Sequence, residues 1–349
     1  MKLIKILMFL FAFPLFSAEH AEADFERLMG KGGAAWKFVQ TSEDFSRLNY
    51  FKKNFDDTIK HLHSAAKNKH VAIPKVIHFI WLGSDEISEK SLKRIGKWIK
   101  RHPTWTFKFW SDVEEREAPF PSMIKQNVKE FNFQILSKPF ELADNQGEKA
   151  KILSYEILLQ EGGICMDHDV SLCKNLDLLN ETYDFYCALE LLGPSSLSTS
   201  VYAATHLVAA KAHHPVIEET AIWLRDHWKF LEEAFPGSAK PIMMHRVKQR
   251  SFWALSAGID KALNTSSNRD MVFPSAFFSS AKRRASSYAT HGHEGTWHQH
   301  PTDFEIKVAS QFQQLVEKNN QAIWIVLLLS GVSLSGWIFL WGSMRRQYD

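Results

Sequence analysis

Two aspartates separated by a single residue could hold a divalent metal ion. Asp167 and Asp169 follow the double glycine at 162–163 and the apolar run at 164–166. Carboxylates are hard oxygen ligands of the kind that Mg²⁺ and Mn²⁺ prefer, and such ions commonly also bind substrate phosphates. In an extended segment, side chains two residues apart share a face, so both carboxylates could address one ion. A solvated turn or an Asx cap would use the same two residues without an ion, so the pair alone leaves both interpretations open.

The neighbouring sequence predicts an α/β sheet with a strand that ends at this pair. The apolar run IPKVIHFIWLG (73–83) is typical of a buried strand, and a helix follows with Ser88 as its N-cap. The alternating segment HPTWTFKFWSD (102–112) predicts a second strand, and together these elements indicate a parallel βαβ unit. A helix over 148–160 then leads to the strand before Asp167. Open α/β sheets bind ligands at the carboxyl ends of their strands, which favours a ligand site here.

The motifs around the pair resemble the DXD-motif sugar transferases, which include yeast-type initiating mannosyltransferases and glucosylating clostridial toxins. The resemblance covers roughly residues 73–300 and is carried by IPKVIHFIWLG, by HPTW with the following FW, by YEILLQEGGICMDHD (155–169) and by GTW (295–297). It implies a GT-A type nucleotide-diphosphosugar transferase fold, with a mixed, mainly parallel sheet flanked by helices. It also implies a Mn²⁺ or Mg²⁺ cofactor and a UDP- or GDP-linked sugar donor. The implied reaction moves a hexose, with retention of configuration, to a hydroxyl of a glycan, lipid or protein.

The resemblance also implies roles for individual residues. Asp167 and Asp169 would hold the metal and the diphosphate, with Asp169 the more direct ligand. Trp81 would stack on the nucleotide base, and Thr296 with Trp297 would close over the diphosphate. Either tryptophan could instead be a packing aromatic.

The histidine-rich segment HGHEGTWHQH (291–300) adds a further candidate. His291 could supply another metal ligand. Alternatively the cluster could bind zinc by itself, and a metal-dependent hydrolase would then use His291 and His293.

Three positions depart from the family pattern. Lys151 stands where the family has an aspartate, Ser154 where it has an arginine, and Cys165 where it has an aromatic residue. Both of the first two positions belong to the face that holds the donor sugar, and serine cannot reproduce a guanidinium fork. Lys151 could bind the diphosphate as a point charge and assist catalysis. Alternatively, the protein could be a catalytically inactive membrane protein that binds nucleotide sugars or glycans.

The two ends of the chain predict an extracytoplasmic protein with a membrane anchor. Residues 1–23 have a basic start, an apolar centre and small residues at the end, which is typical of a signal peptide. Residues 322–342 carry no charge and fit a transmembrane helix; Arg345 and Arg346 would keep the tail (343–349) cytoplasmic. Between the ends, we predict a helical extension (24–72), a transferase domain (73–303) and a juxtamembrane helix (304–321). Two glycosylation sequons begin at Asn180 and Asn264 and would be modified in a secretory-pathway lumen.

The composition narrows the class of protein and the kinds of partner. Hydrophobic residues make up 45% of the 349 residues and aromatic residues 13%, which describes a globular protein with a large core. The net charge of +3 is too small to suggest a nucleic-acid partner. Three cysteines form no disulfide framework.

Overall fold

The computed structural model describes residues 24–64, 73–195, 197–237 and 240–295. The predicted signal peptide, juxtamembrane helix, transmembrane helix and tail, together with Thr296 and Trp297, lie outside these residues. Of the described residues, 24–231 and 247–294 belong to one compact unit, and 232–246 with 295 belong to another. None of the helices in the described ranges combines the length and the apolar character that crossing a bilayer requires.

The secondary structure alternates between strands and helices. The strands are β1 Val76–Ile80, β2 Thr106–Ser111, β3 Met123–Asn127, β4 Gly163–Met166, β5 Val170–Leu172, β6 Phe185–Ala188, β7 Leu207–Ala210, β8 Asp270–Phe273 and β9 Ala289–His291. The α-helices are α1 Phe25–Leu28, α2 Ser42–Ser64, α3 Glu89–Arg101, α4 Ser137–Leu142, α5 Gln146–Gln160, α6 Asp177–Asn180, α7 Pro215–Ala234, α8 Lys240–Lys248 and α9 Ala254–Ala262.

Seven strands form the central sheet of the described chain, in the order β3-β2-β1-β4-β7-β6-β8. Strands β1 to β4 are mutually parallel, β7 runs antiparallel between β4 and β6, and β8 is parallel to β6. The predicted βαβ unit is confirmed, since β1 and β2 pair in parallel and α3 connects them. The protein therefore has a mixed α/β fold with a mostly parallel central sheet.

Local sequence signals account for the helices that flank the site. The Ser88 side chain accepts a hydrogen bond from the backbone of Ser91, as expected for the N-cap of α3. Asn145 caps α5 in the same way. After α5, Gly162 adopts a positive φ of 67°, and a Cβ there would come within 2.6 Å of the Ala212 nitrogen. Only glycine therefore fits the connection between α5 and β4.

The N-terminal helices belong to the same unit as the sheet. Helix α2 covers strand β8, which is an edge strand of the sheet. The side-chain amide of Asn54 donates to the carbonyl of Asp270 and its oxygen accepts the N–H of Val272, both at 3.0 Å. One asparagine thus continues the hydrogen-bond ladder of β8 and protects an edge that would otherwise be open.

Residues 264–295 also contain regular structure. Strand β8 lies within it, and β9 pairs with β5 in a separate two-stranded ribbon. Both strands are too short to produce a clear alternating pattern in the sequence.

Candidate active site

Asp167 and Asp169 lie in a turn between β4 and β5, and this corrects the expectation that both extend a strand. The N–H of Val170 donates to the carbonyl of Asp167 at 3.2 Å, which closes the turn. The N–H of Asp167 donates to the carbonyl of His206 at 2.9 Å, which ties the turn to the start of β7. Convergence of the two carboxylates therefore comes from the turn and not from the period of a strand.

The ribbon of β5 and β9 brings His291 to the two aspartates. Val170 and His291 are direct partners across this antiparallel pair. As a result, one ligand atom from each of Asp167, Asp169 and His291 lies within 4.8 Å of the other two. The structure thus assembles the three side chains that the sequence identified as candidate metal ligands.

Asp169 is buried and heavily hydrogen-bonded. Its Oδ1 lies 3.1 Å from Nε2 of His291, and its Oδ2 accepts the N–H of Glu294 at 2.9 Å. Its carbonyl accepts the N–H of Gly292 at 3.0 Å. Burial alone would raise the pKa of this carboxyl, but the bonds from His291 and Glu294 outweigh burial and hold the pKa well below its usual range. The carboxylate form is therefore the form that the fold stabilises.

Asp167 is paired with a cation from helix α5. The Nζ of Lys151 lies 2.5 Å from Oδ1 of Asp167 and donates a second bond to the carbonyl of Thr205 at 2.8 Å. The Asp167 side chain keeps 35% of its surface exposed, whereas that of Lys151 keeps 17%. Lys151 is thus directed into the site and away from solvent.

Three imidazoles are packed next to the aspartates. The rings of His206 and His291 stack with centroids 4.2 Å apart, and the ring of His293 lies 4.1 Å from that of His291. His206 is fully buried, and burial lowers its pKa well below the usual value. Within the described residues, neither ring nitrogen of His206 nor Nδ1 of His291 has a hydrogen-bond partner. Buried nitrogen atoms without a hydrogen-bond partner are rare in folded proteins, and a bound ligand would account for them.

Trp81 lies beside the turn that contains the aspartates. Its ring contacts that of His168 edge-on, with centroids 4.8 Å apart. His168 is fixed in turn by a 2.7 Å hydrogen bond between its Nδ1 and the hydroxyl of Ser91 on α3. The indole N–H of Trp81 donates to the carbonyl of Asp85 at 2.7 Å. The tryptophan is therefore partly buried and contacts the aspartate-containing turn through His168.

Ser154 and Cys165 line a small cavity next to the Lys151–Asp167 pair. The cavity measures about 30 Å³ and is also lined by Ile80, Ala150 and Met166. The Ser154 hydroxyl donates to the carbonyl of Lys151 within the same helix at 2.7 Å. The space is large enough for about one water molecule.

Several residues that shape the site were not predicted from the sequence. Arg94 and Lys90 on α3 both pair with the carboxylate of Glu294, at 2.8 and 2.6 Å, and so hold the segment after β9. His206 directly precedes the apolar strand LVAA. Its place beside the aspartates follows only from the antiparallel pairing of β4 and β7, which the sequence does not show.

The donor set suits a divalent ion of the Mn²⁺ type. Two carboxylates favour Mg²⁺ or Mn²⁺, and the imidazole of His291 shifts the preference toward the transition metal. The buried imidazole nitrogens without partners are consistent with the same assignment. The alternative, a zinc site built from the histidine-rich segment 291–300 by itself, stays a prediction, because residues 296–300 lie outside the described residues.

Residues 88–186 match the protein family described as glycosyltransferase sugar-binding region containing DXD motif. This match covers the α3–β6 segment and both aspartates, and it confirms the resemblance drawn from the sequence. Inositol phosphoceramide mannosyltransferase 3 of Schizosaccharomyces pombe is 31% identical over 139 residues, which make up 40% of this chain and 35% of that protein. The chain therefore spans about a third of the length of this curated relative.

Solved structures of glycosyltransferases resemble the fold more distantly. The PaToxG glycosyltransferase is 17% identical, with a TM-score of 0.42 over 64% of this chain and 83% of that one. The ligand-free glycosyltransferase domain of the YGT toxin is 9% identical, with a TM-score of 0.34 over 52% of this chain and 68% of that one.

Proposed function

We propose that this chain, whose residues 88–186 carry the DXD-containing glycosyltransferase sugar-binding region, is a metal-dependent glycosyltransferase of GT-A type. It would move a hexose from a nucleotide-diphosphate sugar to a hydroxyl acceptor with retention of configuration. The observation that carries the proposal is the grouping of Asp167, Asp169 and His291 within 4.8 Å at the end of β4. The carboxyl end of a strand in a mostly parallel sheet is where such folds bind nucleotides.

The residues of the site have distinct parts in this proposal. Asp167, Asp169 and His291 would hold Mn²⁺ or Mg²⁺, which when bound neutralises charge on the departing nucleoside diphosphate. Lys151 supplies a fixed ammonium group beside the same position and would donate to a phosphate oxygen. Trp81 presents its ring for stacking on the base, and Ser154 lines the small cavity behind Lys151.

The substrate and the location are part of the proposal. The S. pombe relative is named as a mannosyltransferase that acts on inositol phosphoceramide. We therefore place a mannosyl donor and a lipid acceptor first among the substrates to test.

We also propose that the domain is extracytoplasmic, with residues 322–342 as the anchor and the C-terminus cytoplasmic, because nucleotide sugars are supplied to a secretory lumen.

A second function is favoured by one contact. The 2.5 Å pair of Lys151 with Asp167 neutralises a proposed metal ligand internally. A protein that binds a nucleotide sugar or glycan without turning it over would retain the fold, the cavity and the aspartates. The two functions differ in whether the nucleoside diphosphate is released.

The test uses the purified full chain with Mn²⁺ and a panel of UDP- and GDP-sugars, including GDP-mannose. We expect release of nucleoside diphosphate from one donor, and loss of at least about 100-fold in rate in Asp169→Asn. Asp144→Asn, an exposed aspartate before α5, serves as the matched control and should retain full activity.

The outcomes separate the two functions. Donor binding without release would support the binding protein and reject the transferase. Release that is unchanged in Asp169→Asn would show that the chemistry lies elsewhere.

A further inference from the structure

The described residues also enclose a second cavity, of about 240 Å³. Its walls come from the segment after α1 and from two later loops, and its lining includes Leu28, Met29, Leu191, Leu192, Ala276 and Arg284. The floor is apolar, because Met29, Leu192 and Ala276 are buried there. For comparison, an apolar cavity of about 150 Å³ is large enough to bind benzene.

A glycine turn lines part of this cavity. Gly30 lines it with a φ of 99°, and a Cβ at Gly30 would meet no atom within 4 Å. The N–H of Ser275 lies 3.2 Å from the sulfur of Met29, so the wall formed by the N-terminal segment is attached to the far wall. The N-terminal helical segment therefore shapes a cavity in addition to covering the sheet.

Two backbone contacts connect the cavity to the site. Ser280 lines the cavity, and its carbonyl accepts the N–H of His291 at 3.2 Å. Next to it, the carbonyl of Ser279 lies 2.8 Å from Nε2 of His293. Ser280, which lines the cavity, is thus hydrogen-bonded to the backbone of a proposed metal ligand.

The mouth of the cavity is positively charged. Arg284 lines it, and Lys282 and Arg283 are exposed on the same loop. Among the described residues, none of these three side chains takes part in an ion pair. Lys174 lies against this loop, since its Nζ donates to the carbonyl of Ala285 at 2.5 Å. Burial lowers the pKa of Lys174; Cys173 opposes this effect and the charge of Arg283 adds to it.

We infer that this cavity is the acceptor site, and that it takes an amphiphile with a hydrocarbon chain and an anionic head. The chain would lie against Met29, Leu192 and Ala276, and the head against Arg284. The apolar floor and the basic mouth together select this class of molecule, because neither a free phosphate nor an uncharged glycan would use both. This inference rests on the proposed function, since an acceptor must reach the atom to which the donor sugar is attached.

The inference is tested by photolabelling the full chain in phosphatidylcholine nanodiscs. The probe is a phosphatidic acid with a diazirine in one acyl chain, and labelled peptides are mapped by mass spectrometry. We expect label on peptides containing residues 28–35, 191–192 or 275–284. The same diazirine chain on phosphatidylcholine should label these peptides about tenfold less, since the basic mouth attracts the anionic head.

Two variants with matched controls locate the site. Leu191→Trp should fill the mouth and Arg284→Glu should repel the head, each reducing the label by about tenfold. Leu178→Trp changes a leucine with the same 38% exposure outside the cavity, and Arg101→Glu makes the same charge change at an exposed arginine on α3, which does not line the cavity. Both controls should leave the label within about twofold of the unmodified protein.

Several outcomes would overturn the inference. Label elsewhere, or label that Leu191→Trp does not reduce, would reject the cavity as a lipid site. Equal labelling by the two lipids, or displacement by inorganic phosphate alone, would reject the anionic amphiphile. Crosslinks from the cavity to residues 4–16 of the same chain would identify the N-terminal apolar segment as the occupant instead. Nucleoside diphosphate release measured on the same preparations keeps this test separate from that of the transferase function.

Discussion

The Nζ of Lys151 lies 2.5 Å from Oδ1 of Asp167, so a cation of the chain itself is present where a metal would share that carboxylate. A second bond from Nζ to the carbonyl of Thr205 fixes the ammonium group in this position. In the proposed enzyme Lys151 therefore has two roles. It donates to a phosphate oxygen of the donor, which supports turnover, and its charge competes with the metal for Asp167, which weakens metal binding.

Replacing Lys151 with methionine should separate these contributions. Lys151→Met keeps most of the side-chain volume but removes the positive charge that lies 2.5 Å from Oδ1 of Asp167. We expect Mn²⁺ to bind at least about tenfold more tightly, since like charges a few ångströms apart repel by more than about 1 kcal/mol near a protein surface. Turnover with the nucleotide sugar should nevertheless fall, because the ammonium group is lost from the diphosphate. Free Mn²⁺ measured by electron paramagnetic resonance, without nucleotide, gives the affinity.

Lys149→Met provides the control, since it removes the same charge from the same helix without contacting either aspartate. Its ammonium group lies over the ring of Phe140, on another face. Weaker Mn²⁺ binding in Lys151→Met than in Lys149→Met would show that Lys151 supports the metal site and does not compete with it.

His78 should make the stability of the fold depend on pH. It is fully buried on β1; its Nδ1 accepts from the indole N–H of Trp110 at 3.2 Å, and its Nε2 lies 3.0 Å from the carbonyl of Gly162. The neutral ring satisfies both contacts, and burial lowers the pKa of His78 to about 3. Below the ordinary value of 6.5 the unfolded chain binds a proton that the folded chain refuses, so stability falls as the pH falls.

Chemical denaturation at a series of pH values checks this expectation. Between pH 6.5 and about pH 5, His78 should contribute a loss of about 2 kcal/mol in the free energy of unfolding. His78→Asn should lower stability at about pH 8, where the histidine is neutral in both states, and should flatten the dependence below pH 6.5 by about one proton. An equally steep dependence in the variant would assign the effect to other groups.

Asp44 should be essential for attaching helix α2. It is buried, with Oδ2 accepting the N–H groups of Gln40 and Thr41 and Oδ1 accepting from Thr199 and Ser200. Burial would raise the pKa of its carboxyl, but these hydrogen bonds together hold it well below its usual range. Asp44→Ala leaves several buried donors without an acceptor and should cost about 3–5 kcal/mol of unfolding free energy.

Asp56→Ala on the same helix is the matched control for Asp44. Asp56 is exposed and pairs with Lys52, so its loss should change stability by less than about 0.5 kcal/mol. Thermal denaturation followed by circular dichroism measures both variants. A small effect of Asp44→Ala would mean that residues 199–200 do not depend on this carboxylate.

The sequence predicted those parts of the fold in which local signals agree with one another. Ser88 caps α3, the alternation around Phe107 and Phe109 marks β2, and the double glycine at 162–163 ends the α5 region. In each case the residue type acts within a few positions of its own place in the chain. Local sequence signals were therefore sufficient to predict the βαβ unit and to place the two aspartates just after a strand.

The remainder of the site depended on contacts between distant segments. His206 reaches Asp167 because β7 runs antiparallel to β4, and Glu294 reaches Asp169 because β9 pairs with β5. Neither β7 nor β9 exceeds four residues, so no periodic pattern indicates its partner. His291 was identified only because it lies in a histidine-rich segment, whereas the isolated His206 was not.

Glycosylation provides a test of the proposed extracytoplasmic location. Both sequons were predicted to be modified in a secretory lumen, but the structure separates them. Asn180 is fully buried; its amide lies 3.2 Å from the carbonyl of Pro74 and its oxygen accepts from the hydroxyl of Tyr186 at 2.8 Å. A glycan there would be incompatible with the folded chain, whereas Asn264 is exposed.

We expect the folded protein from a eukaryotic secretory pathway to carry one N-glycan, on Asn264. Endoglycosidase treatment should lower the mass of the unmodified chain by one glycan and leave Asn264→Gln unchanged. A glycan on Asn180 in folded protein would contradict the packing of α6 against the segment before β1. Absence of a glycan at Asn264 in such cells would oppose a lumenal domain, because this side chain is accessible and its sequon is complete.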